Sequence, residues 1–392
     1  MKSVIDNASL AEIGATRMHW FRSNMPIIHS LNEQFKKEKP FLDKTIAICM
    51  HIEPKTAYWI EGILEGGAKH VYLVGCIGTT KPDTAAYLAS LKGITVYGKE
   101  SDTLDEHKAY LAQVMTHKID LFLDNGASLI LAHQKAQTDW KPLGANEETR
   151  TGRLLIEKAK LQSDYPIIVI DDSPLKKLLE NAIGVGQSVV DGFMRATSLL
   201  VGGKKILVVG YGYVGSGIAQ KFKGLGATTL VYDIKPVYRL KAKVDGHLVG
   251  ELEDLIPQAD VIITVTGQFD IITEQHIPLF KEGVILANSG HFGFEINVES
   301  LRKVADKVIK VKNGIEQFMF KERNVFLLEN ASPLNLSAGD GNPIEIMDLG
   351  LGLQSACAYR IVTDSTKLTN GLQTVPQDID EKISTISLKL TQ

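Results

Sequence analysis

The stretch KKILVVGYGYVGSGIAQKFKGLGATTLVYDIKP, residues 204–236, passes from a buried-strand pattern through closely spaced glycines into an amphipathic helical pattern, then into a second strand ending on an acid. A glycine-rich turn between a strand and a helix has a specific physical use. Gly210 can make the tight turn, Gly212 lets the backbone approach a pyrophosphate, and Gly215 lets the helix pack close to the strand. A helix beginning at Tyr213 and Val214 aims its N–H groups and positive dipole end at the phosphates. Asp233, closing the second strand, stands where a carboxylate holds a ribose 2′-hydroxyl. A lone GxGxxG is weak evidence, but strand, glycines, helix, strand and acid in this order point to a dinucleotide site. Asp233 would repel a 2′-phosphate, which favours NAD; Lys235 is the nearby cation that NADP would require.

The surrounding chain of 392 residues, 44% hydrophobic and 23% charged, is long enough for two domains with sizeable cores. A net charge of −3 advertises neither nucleic acid nor an anionic membrane, so a small-molecule partner is expected. No apolar run reaches the roughly 18 to 20 residues that span a bilayer, and the N-terminus lacks an apolar signal core, so a cytoplasmic location is expected. Cys49, Cys76 and Cys357 are too scattered for a disulfide framework or a zinc site, and no metal is expected.

Residues 8–36 place Leu10, Ile13, Met18 and Phe21 at helical spacing, which predicts two helices. A βα series follows, with KTIAICMH, HVYLVGC, ITVYG, IDLFLDNG and YPIIVIDDS as strands and a longer helical region before the last. Such alternation implies a parallel sheet covered on both faces, with ligands at the carboxyl ends of its strands. Those ends carry His51, Cys76 to Thr80, Asp124-Asn125 and Asp171 to Ser173. Ser173-Pro174 then opens a helix on which Lys176 and Glu180 lie one α-helical turn apart, with Asn181 beside them. A solvated i,i+4 ion pair is the bland alternative, weakened because Lys before Glu is the less favourable order. The glycine-rich passage Ile183–Ser188 is expected to be a hinge. A second series, KKILVV, TTLVYD, HLVG, ADVIITVT, GVILAN, KVIKV and NVFLLE, ends at a glycine-rich return near Asn335 to Pro343. The expected architecture is α/β, with a Rossmann-type NAD-binding domain (184–344) inserted into a parallel α/β substrate-binding domain (1–183), and residues 345–392 a helical return to the latter.

GQSVVDGFMRAT at 186–197, GYGYVGSG at 210–217, TVTG at 264–267 and NSGHF at 288–292 resemble, in order, segments of the S-adenosylhomocysteine hydrolase family, and the similarity extends over nearly the whole chain. The resemblance implies a bound NAD that oxidises a nucleoside 3′-hydroxyl, acidifying the C4′ hydrogen so that a 5′ substituent can leave; water then adds and the ketone is reduced again. NEETRTG at 146–152 is similar to the family's SEETTTG, which implies that Glu148 accepts from the sugar hydroxyls and that Thr149, Arg150 and Thr151 lie at the cofactor. Lys176 matches the lysine associated with 3′-hydroxyl deprotonation, Asn181 the neighbouring asparagine, and His51 and His291 the two histidines near the 5′ end. Thr266, Gly267, Asn288 and Asn335 fall in segments that line the cofactor.

Departures from the family pattern gather at the 5′ end. In place of LDDGGD the chain has Leu123-Asp124-Asn125-Gly126-Ala127-Ser128, and the amide of Asn125 cannot serve as the base for the C4′ proton. The aspartate after the lysine is Glu180, whose longer side chain is expected to substitute. The NxxSTQD loop is Ile77 to Asp83, with Thr80 as a substrate contact, and GHP is Gly341-Asn342-Pro343, which leaves Asn342 at the purine. His51-Ile52-Glu53-Pro54-Lys55 has HxExK in place of the commoner HxTxE/Q. Glu53 can accept from a 6-amino group, whereas Lys55 only donates, which suits a 6-oxo purine as in S-inosylhomocysteine. A plain Glu53–Lys55 salt bridge is the alternative. The family's C-terminal tail has no counterpart here, though a dimer or tetramer is still expected. Rival readings are a related enzyme of 5′-dehydration or epimerisation, an ordinary NAD(P) dehydrogenase that releases its reduced cofactor, and an NAD-binding regulatory relative without turnover.

Overall fold

In the computed structural model, which describes residues 2–290 and 293–390, the chain forms two compact units, Met1–Lys177 with Ile344–Gln392, and Leu178–Pro343. The first unit is built on strands β1 (Thr45–Met50), β2 (His70–Gly75), β3 (Ile94–Tyr97), β4 (Leu121–Asp124), β5 (Gly144–Glu147) and β6 (Pro166–Val169). The second is built on β7 (Lys205–Val209), β8 (Thr228–Tyr232), β9 (Leu248–Val249), β10 (Val261–Thr264), β11 (Val284–Asn288), β12 (Lys307–Lys312), β13 (Ile315–Phe320) and β14 (Arg323–Leu328). A final strand, β15 (Gly371–Thr374), returns to the first sheet and pairs parallel with β6.

The first sheet runs β15-β6-β5-β4-β1-β2-β3, and every pairing is parallel. Its strands are buried on both faces, as covering helices require: Ile46 and Ile48 look one way, Ala47 and Cys49 the other, all at 0% exposure. The strand order reverses direction between β1 and β4. In an open α/β sheet that reversal opens a crevice at the carboxyl ends, where ligands bind. The second sheet runs β12-β13-β14-β11-β10-β7-β8-β9, with its own reversal between β7 and β10. There β12, β13 and β14 form antiparallel pairs at one edge.

Three strands escape the pattern reading. Residues 144–147, GANE, lie inside what the sequence suggests is a longer helical region, yet they form a central strand between helices Ser128–Ala136 and Arg150–Lys158. Polar residues are held there by distant partners: Asn146 donates to the carbonyl of Gln354, though its Oδ1 meets no partner among the described residues, and the Glu147 carboxylate accepts the N–H groups of Gly126, Ala127 and Thr149. Residues 315–320 (β13) and 371–374 (β15) are paired by tertiary context.

The passage expected to be a hinge is also helical. Residues Lys176–Gly184 form a π-helix that continues as an α-helix over Val185–Thr197. Its i→i+5 bonding widens each turn, so the α-helical i,i+4 relation between Lys176 and Glu180 does not apply. Gly186 and Gly217 serve helix packing instead, because a Cβ at Gly186 would lie 2.7 Å from the Gly217 carbonyl. Among the described residues no helix is long and apolar enough to cross a membrane.

Candidate functional site

In the first unit the polar side chains collect around the β1/β4 crevice. His51 follows β1, and its Nδ1 lies 2.8 Å from the hydroxyl of Thr79, in the loop after β2. Across the crevice, Asn125 follows β4 and donates its amide to the sulfur of Met50 at 3.4 Å. Asn125 is 4% exposed, and its Oδ1 meets no partner among the described residues. The same holds for the hydroxyl of Thr80 and for Oε2 of Glu148. Buried polar atoms are seldom left unpaired, so Asn125 and Glu148, just past β4 and β5, mark groups that a ligand would satisfy, whereas the Thr80 hydroxyl lies against Gly75 and Gly98 at the ends of β2 and β3.

Glu148 follows β5, and its other oxygen accepts from Nζ of Lys176, the first residue of the π-helix; both side chains are buried. Glu53 and Lys55 form a second buried pair, Nζ to Oε2 2.9 Å, with side chains 7% and 3% exposed. Glu53 also caps the helix Pro54–Glu65 by accepting the N–H of Lys55. Pro54 at the helix start and this cap explain why HxExK forms a strand-to-helix turn.

Beneath the crevice lies an acidic layer that holds the loops. Asp124 accepts the N–H groups of Asn125 and Ile130, and burial pushes its carboxyl up to about 7. Burial, with Asp124 nearby, also raises Glu147 well above the usual carboxylate range. Burial would lower His51, but Cys76, Glu53 and Glu148 around it raise it on balance above an ordinary histidine. Cys49 is raised by its hydrogen bond to Cys76 and by burial.

Thr149 is spent on structure. Its hydroxyl donates to Glu147 and accepts the N–H of Gly152, capping the helix Arg150–Lys158. Arg150 is exposed and Thr151 half-buried on that helix's first turn.

The second unit carries the glycine turn. Gly210 has φ +104, and a Cβ there would sit 2.7 Å from the Val265 carbonyl, so both conformation and packing demand glycine. Gly215 is held by close approach to the Gly210 carbonyl. Gly212 differs: a Cβ on it would meet nothing within 4 Å. The protein itself gives no reason for glycine there, whereas a pyrophosphate lying against the backbone does. Tyr213, half exposed, and Val214 open the helix Tyr213–Gly224. Asp233 accepts the N–H groups of Tyr211 and Lys235, each at 2.8 Å, and these fix its carboxylate beside the turn with lone pairs remaining for a ribose hydroxyl. These features fit NAD.

Across the β7/β10 reversal, Thr266 and Gly267 form a turn whose N–H groups are gripped by the buried Glu295. Asn288 pins the end of β11: its Oδ1 accepts from Thr264 and Gly290, and its amide donates to the carbonyls of Gly290 and Ala331. Asn335 and Asn342, assigned by sequence to cofactor and purine respectively, meet within one cluster in which Ser188 donates to Asn342 at 2.9 Å and Asn335 donates to Ser188 at 3.3 Å. Glu180 is buried and Asn181 half-buried, both in this unit. His291 lies outside the described residues.

Thr79, Glu147 and Glu295 were not singled out by sequence reasoning. Thr79 carried one signal, its place in a loop at a strand's carboxyl end. Glu147 carried its place in the NEETRTG segment, and Glu295 carried none, because nothing in a sequence tells a loop-holding carboxylate from a solvated one.

Residues 181–341 match the model of the S-adenosyl-L-homocysteine hydrolase NAD-binding domain. The S-inosyl-L-homocysteine hydrolase of Methanocaldococcus jannaschii is 34% identical over 98% of this chain and 94% of its own. That of Methanopyrus kandleri is 36% identical over 98% and 92%. The adenosylhomocysteinase of Aquifex aeolicus is 34% identical over 99% and 94%.

Proposed function

The chain belongs to the S-adenosylhomocysteine hydrolase family, and from that membership we propose that it is an NAD-dependent hydrolase converting S-inosylhomocysteine and water to inosine and homocysteine. Bound NAD supplies reversible oxidation of the ribose 3′-hydroxyl. The residues of the first unit supply the rest. Lys176 takes the 3′-hydroxyl proton, with Glu148 as its buried counter-charge. The second oxygen of Glu148 accepts from the sugar hydroxyls, which answers its lack of a partner. His51, at the β1/β4 crevice, takes the C4′ proton and gives it to the departing thiolate at C5′, then takes a proton from the water that adds and returns it to C4′. Asn125 has no basicity to offer at C4′, so it orients substrate through its unpartnered oxygen.

The observation that carries the choice of base is the buried Glu53–Lys55 pair. Lys55 can only donate, and a 6-oxo purine offers it an acceptor where adenine offers a donor. A second reading, adenine bound through Glu53, rests on the carboxylate's capacity to accept. NAD-loaded protein is titrated with inosine and adenosine while the bound reduced-nicotinamide absorbance is followed, and kcat/KM is compared for the two homocysteine thioethers. A band and faster turnover with the inosyl compounds support the proposal. A clear preference for the adenosyl pair overturns the choice of base, and no band with either overturns the reaction.

A further inference from the structure

The hydroxyl of Thr79 makes two contacts with a single proton. It donates to the carbonyl of Cys76 at 2.9 Å, and its oxygen lies 2.8 Å from Nδ1 of His51. A carbonyl can only accept, so the proton of the hydroxyl is committed to it. The oxygen is then left to accept, and Nδ1 must be the ring nitrogen that carries hydrogen. Neutral His51 is thereby held as the tautomer whose basic lone pair is on Nε2. The opposite tautomer would turn the Thr79 proton toward Nδ1 and strip the Cys76 carbonyl of its donor. The loop is braced for this task. Cys76 donates its N–H to the Met50 carbonyl at 3.1 Å, and Lys81 donates to the Ile52 carbonyl at 2.8 Å. Thr79 is thus strapped on both sides to the segment that carries His51, and it is 6% exposed.

We propose that Thr79 is a positioning residue for His51, fixing the ring so that the proton exchanged at C5′ is always carried on Nε2. The inference rests on the role given to His51 above. Both steps at C5′ use the same arrangement, since Nδ1–H donates to Thr79 whether the ring is neutral or cationic. Nε2 alone changes state, giving its proton to the departing sulfur and recovering one from water. Three titratable groups also face the ring: Cys76 from the loop after β2, Glu53 from the turn after β1, and Glu148 from the end of β5. Each carboxylate favours the imidazolium without selecting a nitrogen, and the Cys76 side chain is hydrogen-bonded to the ring as well. At Nδ1 the selecting contact is Thr79.

The test uses full-length, NAD-loaded protein carrying Thr79→Val, Thr79→Ala or Thr79→Ser. Side-chain 15N signals of His51, assigned by their loss in His51→Asn, report which nitrogen is protonated in the neutral ring. Wild type and Thr79→Ser are expected to show Nδ1–H. Thr79→Val and Thr79→Ala are expected to show a mixture of tautomers. In kcat/KM against pH, the limb belonging to His51 should move about one unit toward acid in Val and Ala, with turnover falling about tenfold, and Ser should restore both to near wild type. An unchanged tautomer in Val or Ala overturns the proposal, as does a changed tautomer with an unchanged pH profile. Failure of wild type to turn over either thioether would instead count against the proposed reaction, while the 15N signals still decide whether Thr79 holds the ring.

Discussion

Replacing the Glu53–Lys55 pair by Thr and Gln tests the choice of base and separates it from stability. The two side chains are 7% and 3% exposed and 2.9 Å apart, so solvent screens them little. Lys55→Met alone would strand the carboxylate with the Lys55 N–H at 3.2 Å and the Thr56 hydroxyl at 3.5 Å. Breaking a buried pair in this way costs about 3–5 kcal/mol. Glu53→Thr with Lys55→Gln removes both charges, and threonine can still cap the helix Pro54–Glu65, so the double variant should stay within about 1 kcal/mol of wild type. The ammonium donor to the 6-oxo group is replaced by a neutral amide, which can also turn its oxygen toward a 6-amino group. A hydrogen bond from a charged group contributes about 1.5–3 kcal/mol, or roughly 10- to 150-fold. The ratio of kcat/KM for S-inosylhomocysteine over S-adenosylhomocysteine should fall by that factor in the folded double variant. Urea unfolding gives the stability arm and coupled assays of homocysteine release give the ratio. A double variant that is folded and keeps the wild-type ratio refutes the reasoning and leaves the pair a structural salt bridge.

Lys176→Met should abolish the reduced-nicotinamide band on adding inosine or adenosine while NAD stays bound; a persisting band would remove Lys176 from the redox step. It should also cost about 3–5 kcal/mol in unfolding experiments, because Glu148 is left buried without its cation. Gly217→Ala would place a Cβ 1.9 Å from the Ala182 carbonyl oxygen, so at least about 1–3 kcal/mol should be lost and Tm should fall. Gly224→Ala, at the end of the same helix with nothing within 4 Å, should leave Tm unchanged or higher. Asp348 accepts the N–H groups of Ile27 and Ile28, and burial raises its carboxyl to about 6. A raised carboxyl binds its proton in the folded state before the unfolded one. Its contribution is therefore full below about 4 and lost as pH rises through about 6. The stability of wild type relative to Asp348→Asn, measured by denaturant unfolding, should accordingly decline from pH 4 to 7; an increase over that range would contradict the assignment.

The glycine turn was legible because backbone chemistry dictates it: a φ of +104 and the approach of the Val265 carbonyl at Gly210, and the Gly210 carbonyl against Gly215, leave few other residues possible. The apolar strands were legible for the same kind of reason, since a strand buried on both faces must read as a hydrophobic run. The strand nearest the chemistry was not. β5 is GANE, and its polar residues are held by partners far away in sequence, Gln354 for the amide N–H of Asn146 and the loop at 126–127 for Glu147. The π-helix at 176–184 likewise leaves no mark in the residue pattern. Illegibility and function share one cause. A residue that serves a ligand is excused from the period that reports the fold, and the partner that excuses it is distant. Thr79 is the sharpest case: three residues from Cys76 and twenty-eight from His51, it acquires meaning only when two loops at the carboxyl edge of one sheet are laid side by side.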